Sequence, residues 1–330
     1  MRSLTTAAFA AFSLASPIAE QIPITPFRSQ PLIGFGTWNL DIFPENTTAA
    51  VSIALQAGYR QIDCAAAYGN EKAVGKGIAE GMERANLQRW QIWVTSKLWN
   101  DHHAVGKVEE GLNQTLKDLG LDYLDLYLMH WPVGNAPITG KLRFDYIETW
   151  HAMEKLLDTG KVRNIGVSNF SRGQLHRLIK SSKVKPAVHQ MELHPYLHQE
   201  KWIRMHQAHG IAVTAYSPLG NMNPTYHDDD SDDTESPPLL LKNPVILNIA
   251  RKRSCTAAQV ALAWGMSRGT SVIPKSSHED HIRENIGATE CHLQKEDFRE
   301  IVEVGRKWST RFNNPGEGWG VHLFEGLEDS

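Results

Sequence analysis

Residues 58–71 read GYRQIDCAAAYGNE: a short strand, 60–63, ends in Asp63, and Tyr68 follows five residues later in a turn of small residues. Tyr68 is the candidate acid. A phenol has a pKa of about 10, so it gives up its proton poorly at neutral pH unless a charge helps it. Lys97 and His130 have the types to complete such a site. A lysine ammonium beside the phenol favours the phenolate and is expected to lower its pKa. Asp63 supplies the compensating anion. An imidazole nearby can orient a carbonyl oxygen and donate to it. Together these groups protonate an oxygen as charge develops on it, which is what carbonyl reduction requires. The carbon must receive a hydride, and no side chain supplies one, so a reduced cofactor is expected.

Such a set needs a frame. Apolar runs with strand character occur at 31–38, 60–63, 91–97, 122–130, 162–167, 187–191, 211–216 and 271–275. Between them lie helical stretches, several closed by a glycine: about 46–57 (capped by Asn46 or Thr47), 71–84, 103–119, 145–159, 174–181, 198–209, 243–253, 256–268, 279–287 and 295–307. Strand and helix in alternation mean parallel strands with crossover helices. About eight such units in one chain point to a (β/α)8 TIM barrel, a single α/β domain with long loops at its C-terminal face.

A barrel places chemistry at the carboxyl ends of its strands. Those ends carry Asp63, Lys97, His130, Ser168 with Asn169, Gln190, Tyr216 and Lys275, with Tyr68 just beyond the second strand. Packing alone calls for Val, Ile or Leu there, and a buried unpaired charge costs several kcal/mol. The polar groups are therefore expected to face one another across the top of the barrel. No G-x-G-x-x-G follows a strand: Gly34-x-Gly36 is followed by Asn39, and Gly75-x-Gly77 lies in a helical stretch. Lys275 and Ser276, at the last strand end and leading into a helix, make a phosphate seat instead. Tyr216 can stack on a flat ring, and Ser168, Asn169 and Gln190 can hydrogen-bond an amide.

Composition narrows the classes. The chain has 330 residues and a formal net charge of -3, which argues against a nucleic-acid or anionic-membrane surface. No apolar run reaches the roughly 18 residues of a spanning helix. Cys64, Cys255 and Cys291 are scattered, form no disulfide framework or CxxC zinc pattern, and suit a reducing compartment. His102 and His103 are adjacent, His194 and His198 bracket Pro195, and HExxH is absent, so no metal site is expected. Residues 1–20 read either as an extension, the favoured reading, or as a cleavable secretory or transit leader. The acidic run from Asp228 to Glu235 reads as a solvated loop.

The ordered pieces GFGTW (from Gly34), GYRQIDCAAAYGNE (Gly58), TSKLW (Thr95), LMHWP (Leu128), GKVRNIGVSNF (Gly160), QMELHPYL (Gln190), AYSPLG (Ala215) and VIPKS (Val272) resemble the aldo-keto reductases, from about Ile22 to Trp308. The resemblance implies a (β/α)8 barrel that binds NADPH/NADP+ without a Rossmann domain. It implies Tyr68 as proton donor with Asp63, Lys97 and His130 as a tetrad. It places Ser168, Asn169 and Gln190 on the carboxamide and Tyr216 on the nicotinamide ring. Ser217, Leu219 and Gly220 fall under the pyrophosphate. Lys275 and Ser276 match the 2′-phosphate seat, Glu284 and Asn285 the adenine, and Trp38, Trp99 and Trp131 the pocket walls. His130 suits carbonyl rather than carbon–carbon double-bond reduction.

There are departures from the family pattern. His281 stands where the family commonly has an arginine packed on the adenosine, so NADH remains an alternative cofactor. The loop at 133–143 is short, and the 228–235 run is unusual. Residues 311–315, RFNNP, resemble fungal glycerol and sugar reductases of the family. The expected division is therefore 1–20 as leader or extension, 21–310 as barrel and 311–330 as a tail over the active site. The expected activity is reversible NADPH-dependent reduction of an aldehyde or ketone. Glyceraldehyde, other short aldehydes and open-chain sugars are the expected substrates. A cofactor-binding regulatory protein of the same fold is the alternative. A cytoplasmic monomer acting on a small carbonyl compound is expected, with a secreted or organellar location if 1–20 is a leader.

Overall fold

Each buried strand hands the chain to a helix. In the computed structural model, an antiparallel hairpin comes first, β1 (Gln21–Thr25) with β2 (Arg28–Pro31). Then β3 (Phe35–Gly36) leads to α1 (Pro44–Ala57), β4 (Gln61–Asp63) to α2 (Glu71–Arg84) and β5 (Trp93–Leu98) to α3 (Val108–Leu119). Next β6 (Leu126–Met129) leads to α4 (Tyr146–Leu156), β7 (Ile165–Ser168) to α5 (Arg172–Ser181) and β8 (Val188–Glu192) to α6 (Glu200–Ala208). Finally β9 (Ala212–Tyr216) leads to α7 (Pro244–Arg253) and α8 (Ala257–Met266), and β10 (Thr270–Val272) to α9 (Glu279–Ile286). Helix α10 (Lys295–Lys307) and the single turn α11 (Gly316–Trp319) end the described chain.

Strands β3 to β10 pair in parallel, each with its neighbour in sequence. Gly34 N donates to Val272 O at 2.8 Å and Val272 N to Leu32 O at 2.8 Å, which closes the sheet into the expected barrel. The structure describes residues 21–25, 28–40, 43–134, 145–226 and 236–324. The 1–20 segment, the 228–235 acidic run and all but the first two residues of the 133–143 loop lie outside them.

Local chemistry explains the element ends. Gly58 (φ 113°) and Gly120 (φ 65°) stop α1 and α3 in the left-handed region that side chains avoid. Ser171 and Thr256 each cap a helix reciprocally with a glutamine three residues on. The start of α1 differs from expectation. Neither Asn46 nor Thr47 caps it; Phe43 precedes it and Pro44 takes the first turn, where its missing N–H costs nothing.

Two larger differences concern the first strand and the cysteines. The run at 31–38 is not one strand. Its start belongs to the hairpin, whose Ile24 packs on Trp93, Leu126 and Val188 at the strand beginnings. Gln30 Nε2 donates to Thr214 Oγ1 at 2.9 Å and Ser271 Oγ to Pro31 O at 2.8 Å. The hairpin thus plugs the N-terminal mouth. Cys255 and Cys291 form a disulfide across 36 residues, contrary to the expectation of unpaired thiols. The fold brings the α7–α8 junction beside the turn after α9, a proximity that spacing in the chain does not reveal. Cys64 is free and buried. No helix among the described residues is long and apolar enough to cross a membrane.

Two buried histidines join β8 to α6. Phe170 N donates to His189 Nε2 at 3.2 Å, so the His189 proton sits on Nδ1, 2.6 Å from His206 Nε2. The His206 proton is then on Nδ1, 2.6 Å from Trp202 O. Every ring nitrogen is satisfied with both rings neutral. Burial holds His189 well below its ordinary value of 6.5 and pushes His206 down to about 4. The fold therefore binds fewer protons here than the unfolded chain does. This stabilisation is complete above about pH 6.5 and is lost as pH falls toward 4. Thermal midpoints should drop from pH 7 to pH 5, and drop less steeply in His206→Gln. Equal slopes for the two proteins would remove the pair from the acid response.

Candidate active site

Lys97 is the centre of the site, with no exposed side-chain surface. An ammonium has three N–H donors. Here one goes to Asp63 Oδ1, one to Cys64 O at 2.7 Å and one to the Tyr68 hydroxyl at 3.0 Å. Strand register sets this up, because Asp63 ends β4 and Lys97 lies one residue from the end of adjacent β5. Tyr68 is delivered by a 3-10 turn, 66–68, that starts three residues past the end of β4. Since Lys97 donates to the phenol oxygen, the phenol's own proton must point elsewhere. Tyr68 lines the cavity at the C-terminal mouth, beside His130, with ring centroids 5.8 Å apart.

The Lys97 charge acts in the direction the sequence suggests, but it does not set the net shift. Desolvation raises the Tyr68 phenol most, and Asp63 adds to it. Lys97 opposes both by charge and by hydrogen bond, and the net remains above the ordinary 10. The expectation of a lowered phenol pKa is corrected, because burial outweighs one ammonium that Asp63 has already neutralised. Tyr68 is a proton-loaded acid at neutral pH, not a phenolate. Burial works against the Lys97 ammonium, but Asp63 and Tyr68 more than offset it, and its pKa is raised. Burial, then Lys97, then His103 hold His130 well below 6.5, so its ring is neutral. His130 Nδ1 is buried without a partner among the described residues, and the ring lies between Trp99 (5.2 Å) and Trp131 (6.3 Å, stacked).

The amide-recognition candidates also converge, with a difference in their partners. Gln190 Nε2 donates to Asp63 Oδ2 at 2.7 Å, which ties it to the Lys97 cluster. Asn169, at φ 62°, donates to His130 O and to Ser168 Oγ, both at 3.1 Å. Its Oδ1 accepts from Tyr216 OH at 2.7 Å. Tyr216, Ser217, Leu219 and Gly220 form one side of a cavity of about 380 Å³ that runs from Trp99 and Trp131 to Lys275. That volume falls in the range of small-molecule sites. Trp38 borders it opposite Tyr226, with centroids 5.7 Å apart.

The far end is only partly assembled as expected. Lys275 lines the cavity and has no carboxylate partner among the described residues; burial lowers its pKa, so an anion beside it would be favourable. A Cβ on Gly36 would meet Ile273 O at 2.8 Å, so the backbone there is closely approached. Ser276 does not line the cavity; its hydroxyl accepts from His278 N at 3.0 Å. Glu284 and Asn285 lie on α9, also outside the lining. Glu284 accepts from Thr256 Oγ1 at 2.6 Å, and Asn285 is buried. Arg283 is spent on Glu279 at 2.8 Å. No group of three or more metal-ligating side chains occurs among the described residues.

Sequence reasoning missed several residues at this mouth. Trp319 packs on Trp131 (5.1 Å) and Trp99 (6.0 Å), and Asn313 Nδ2 donates to Tyr216 OH at 3.2 Å. Tyr226 bonds Ser217 at 3.0 Å and stacks with Phe312. The expected tail over the active site, with its RFNNP run, pointed to the region of Phe312, Asn313 and Trp319 without assigning them partners, and nothing in the sequence pointed to Tyr226.

Residues 32–306 match the Aldo/keto reductase family. An uncharacterized oxidoreductase of Schizosaccharomyces pombe is 46% identical over 91% of this chain and 92% of its own length. Aldo-keto reductase family 1 member A1 of Bos taurus is 43% identical over 84% of this chain and 87% of that protein. Among solved structures, a Bombyx mori aldo-keto reductase in complex with NADP superposes with a TM-score of 0.82. It is 35% identical and covers 91% of this chain and 96% of its own.

The buried ion pair has a measurable consequence. Asp63→Asn leaves the Lys97 ammonium without its anion and should lower the unfolding free energy by about 3–5 kcal/mol. Denaturant titration checks this, and a loss below about 1 kcal/mol would mean that the ammonium finds another counter-charge.

Proposed function

This chain belongs to the aldo/keto reductase family, an oxidoreductase of carbonyl groups, and from that premise we propose that it reduces an aldehyde or ketone to the alcohol, reversibly, with NADPH. The observation that carries the reading is the complete use of the Lys97 donors, which turns the Tyr68 proton toward the cavity beside His130. A carbonyl oxygen held between Tyr68 and neutral His130 meets two polar groups backed by Lys97. As negative charge grows on that oxygen, Tyr68 transfers its proton. The ammonium, already in contact with the phenol oxygen, steadies the phenolate left behind. The nicotinamide supplies the hydride when bound.

The residues present fit that cofactor at its nicotinamide and phosphate parts. Tyr216 offers a flat face, Ser168, Asn169 and Gln190 line the same cavity with amide-recognising groups held by Asp63 and by one another, and Ser217, Leu219, Gly220 and Lys275 line it as well. Ser276, Glu284 and Asn285 would take the 2′-phosphate and adenine beyond the cavity. The apolar wall of Trp38, Trp99 and Trp131 suits short aldehydes. The 311–315 run adds glyceraldehyde, with glycerol in reverse, and open-chain sugars. A cytoplasmic monomer completes the reading.

Two experiments test it. Tyr68→Phe should lower NADPH-dependent reduction across an aldehyde panel by about 10²–10⁴-fold. Equal rates for the two proteins would eliminate Tyr68 as the acid, and tight NADPH binding with no turnover would favour a regulatory role. NADPH should bind more tightly than NADH, and Lys275→Met should shrink that preference by about tenfold or more. Comparable dissociation constants in the wild type would show that the loss at His281 outweighs Lys275.

A further inference from the structure

Two residues past Gln190, β8 ends in a carboxylate that the reaction above does not use. Glu192 is wholly buried. Its Oε1 accepts from Phe312 N at 2.7 Å and its Oε2 from Asn313 N at 2.9 Å. His194 Nε2 lies 2.9 Å from Oε1. His194 Nδ1 accepts from Tyr196 N at 3.2 Å, so Nε2 carries the proton and donates. A buried carboxylate persists as an anion only when such donors replace water. Burial alone would raise its pKa, yet His194, Arg311 and the Phe312 N–H bring it below the ordinary value. Backbone amides of the tail are thus bolted to the rim of the barrel by a charge.

The bolt holds something useful. Asn313, fixed through its backbone, donates from its side chain to Tyr216 OH at 3.2 Å. Tyr216 OH donates in turn to Asn169 Oδ1 at 2.7 Å. Six residues on, Trp319 stands against Trp99 and Trp131. One anion therefore bears on both the Tyr216 ring and one wall of the pocket.

We infer that Glu192 is a positioning residue for the hydride step: it clamps the tail, and through Asn313 the tail fixes the Tyr216–Asn169 pair. This rests on the reading of Tyr216 and Asn169 as the nicotinamide platform. Small displacements of such a platform are costly, because reaction needs the two carbons close and aligned.

The test uses Glu192→Gln and Asn313→Ala in the full chain. Glu192→Gln keeps the shape but turns a donor toward a backbone N–H. Amide hydrogen exchange at Phe312 and Asn313 should quicken, and kcat/KM for a short aldehyde should fall by about tenfold. The ratio of kcat/KM between a bulky aromatic aldehyde and the short one should also shift. Asn313→Ala keeps the clamp, so the Phe312 amide stays protected while kcat falls and the aldehyde KM holds. A merely structural bond would not produce that split. Fast exchange in Glu192→Gln with wild-type kinetics would overturn the inference, as would unchanged exchange. If Glu192→Gln does not fold, Asn313→Ala alone decides, and wild-type kcat there overturns it. If the wild type reduces no carbonyl, the proposed function fails and the positioning role falls with it. The clamp itself is then still judged by exchange.

Discussion

A lysine ammonium with no access to water constrains this molecule more than any other single group. Its hydration is gone, so each of its three N–H bonds must find an oxygen inside the protein. Asp63, the Cys64 carbonyl and Tyr68 provide them, from the end of β4 and the turn beyond it. That requirement fixes the register of β4 against β5 and the path of the chain from 63 to 68. It also ties in Gln190 from the opposite side of the barrel, through the second oxygen of Asp63. Stability and chemistry meet in one cluster: the burial that makes the lysine need its anion is also what keeps the phenol protonated against the lysine's pull, with Asp63 adding to it.

Around that cluster the polar groups are arranged in linked pairs. Asn169 takes the His130 carbonyl, the Ser168 hydroxyl and the Tyr216 phenol, so β6, β7 and β9 are joined at their C-terminal ends by one side chain. Glu192 adds the tail to the same rim. At the other end the hairpin closes the barrel with packed apolar groups and two side-chain hydrogen bonds. The molecule thus has a dry floor and a polar rim, a division that follows from where its strands begin and end.

Much of this was legible in the chain. Period and punctuation located the barrel strands and their helices, since Gly58 and Gly120 mark helix ends by a backbone geometry that few other residues accept. Asp63, Tyr68, Lys97 and His130 stood out because polar groups at the ends of apolar strands are costly unless they serve each other. What escaped depended on three-dimensional contact. The Cys255–Cys291 pair is 36 residues apart, and nothing local announces it. The Tyr68 shift depends on how much burial opposes a charge, and residue types carry no measure of depth. Ser276 has the right type beside Lys275, but it turns its hydroxyl to its own backbone. Glu192, read only as part of a motif, reveals its task when the tail lies over it.

The cavity joins residues that lie far apart in the polypeptide. Gly36 and Trp38 come from the first barrel strand and its loop, whereas Asn313 and Trp319 come from the last described turn. During synthesis the strand-end groups can assemble as soon as the barrel closes, after β10. The wall that Trp319 forms against Trp99 and Trp131 cannot exist until residue 319 has left the ribosome. A nascent barrel would therefore carry its polar centre under an open roof, exposing indole surface that the finished protein covers. Completion of the pocket therefore follows closure of the barrel.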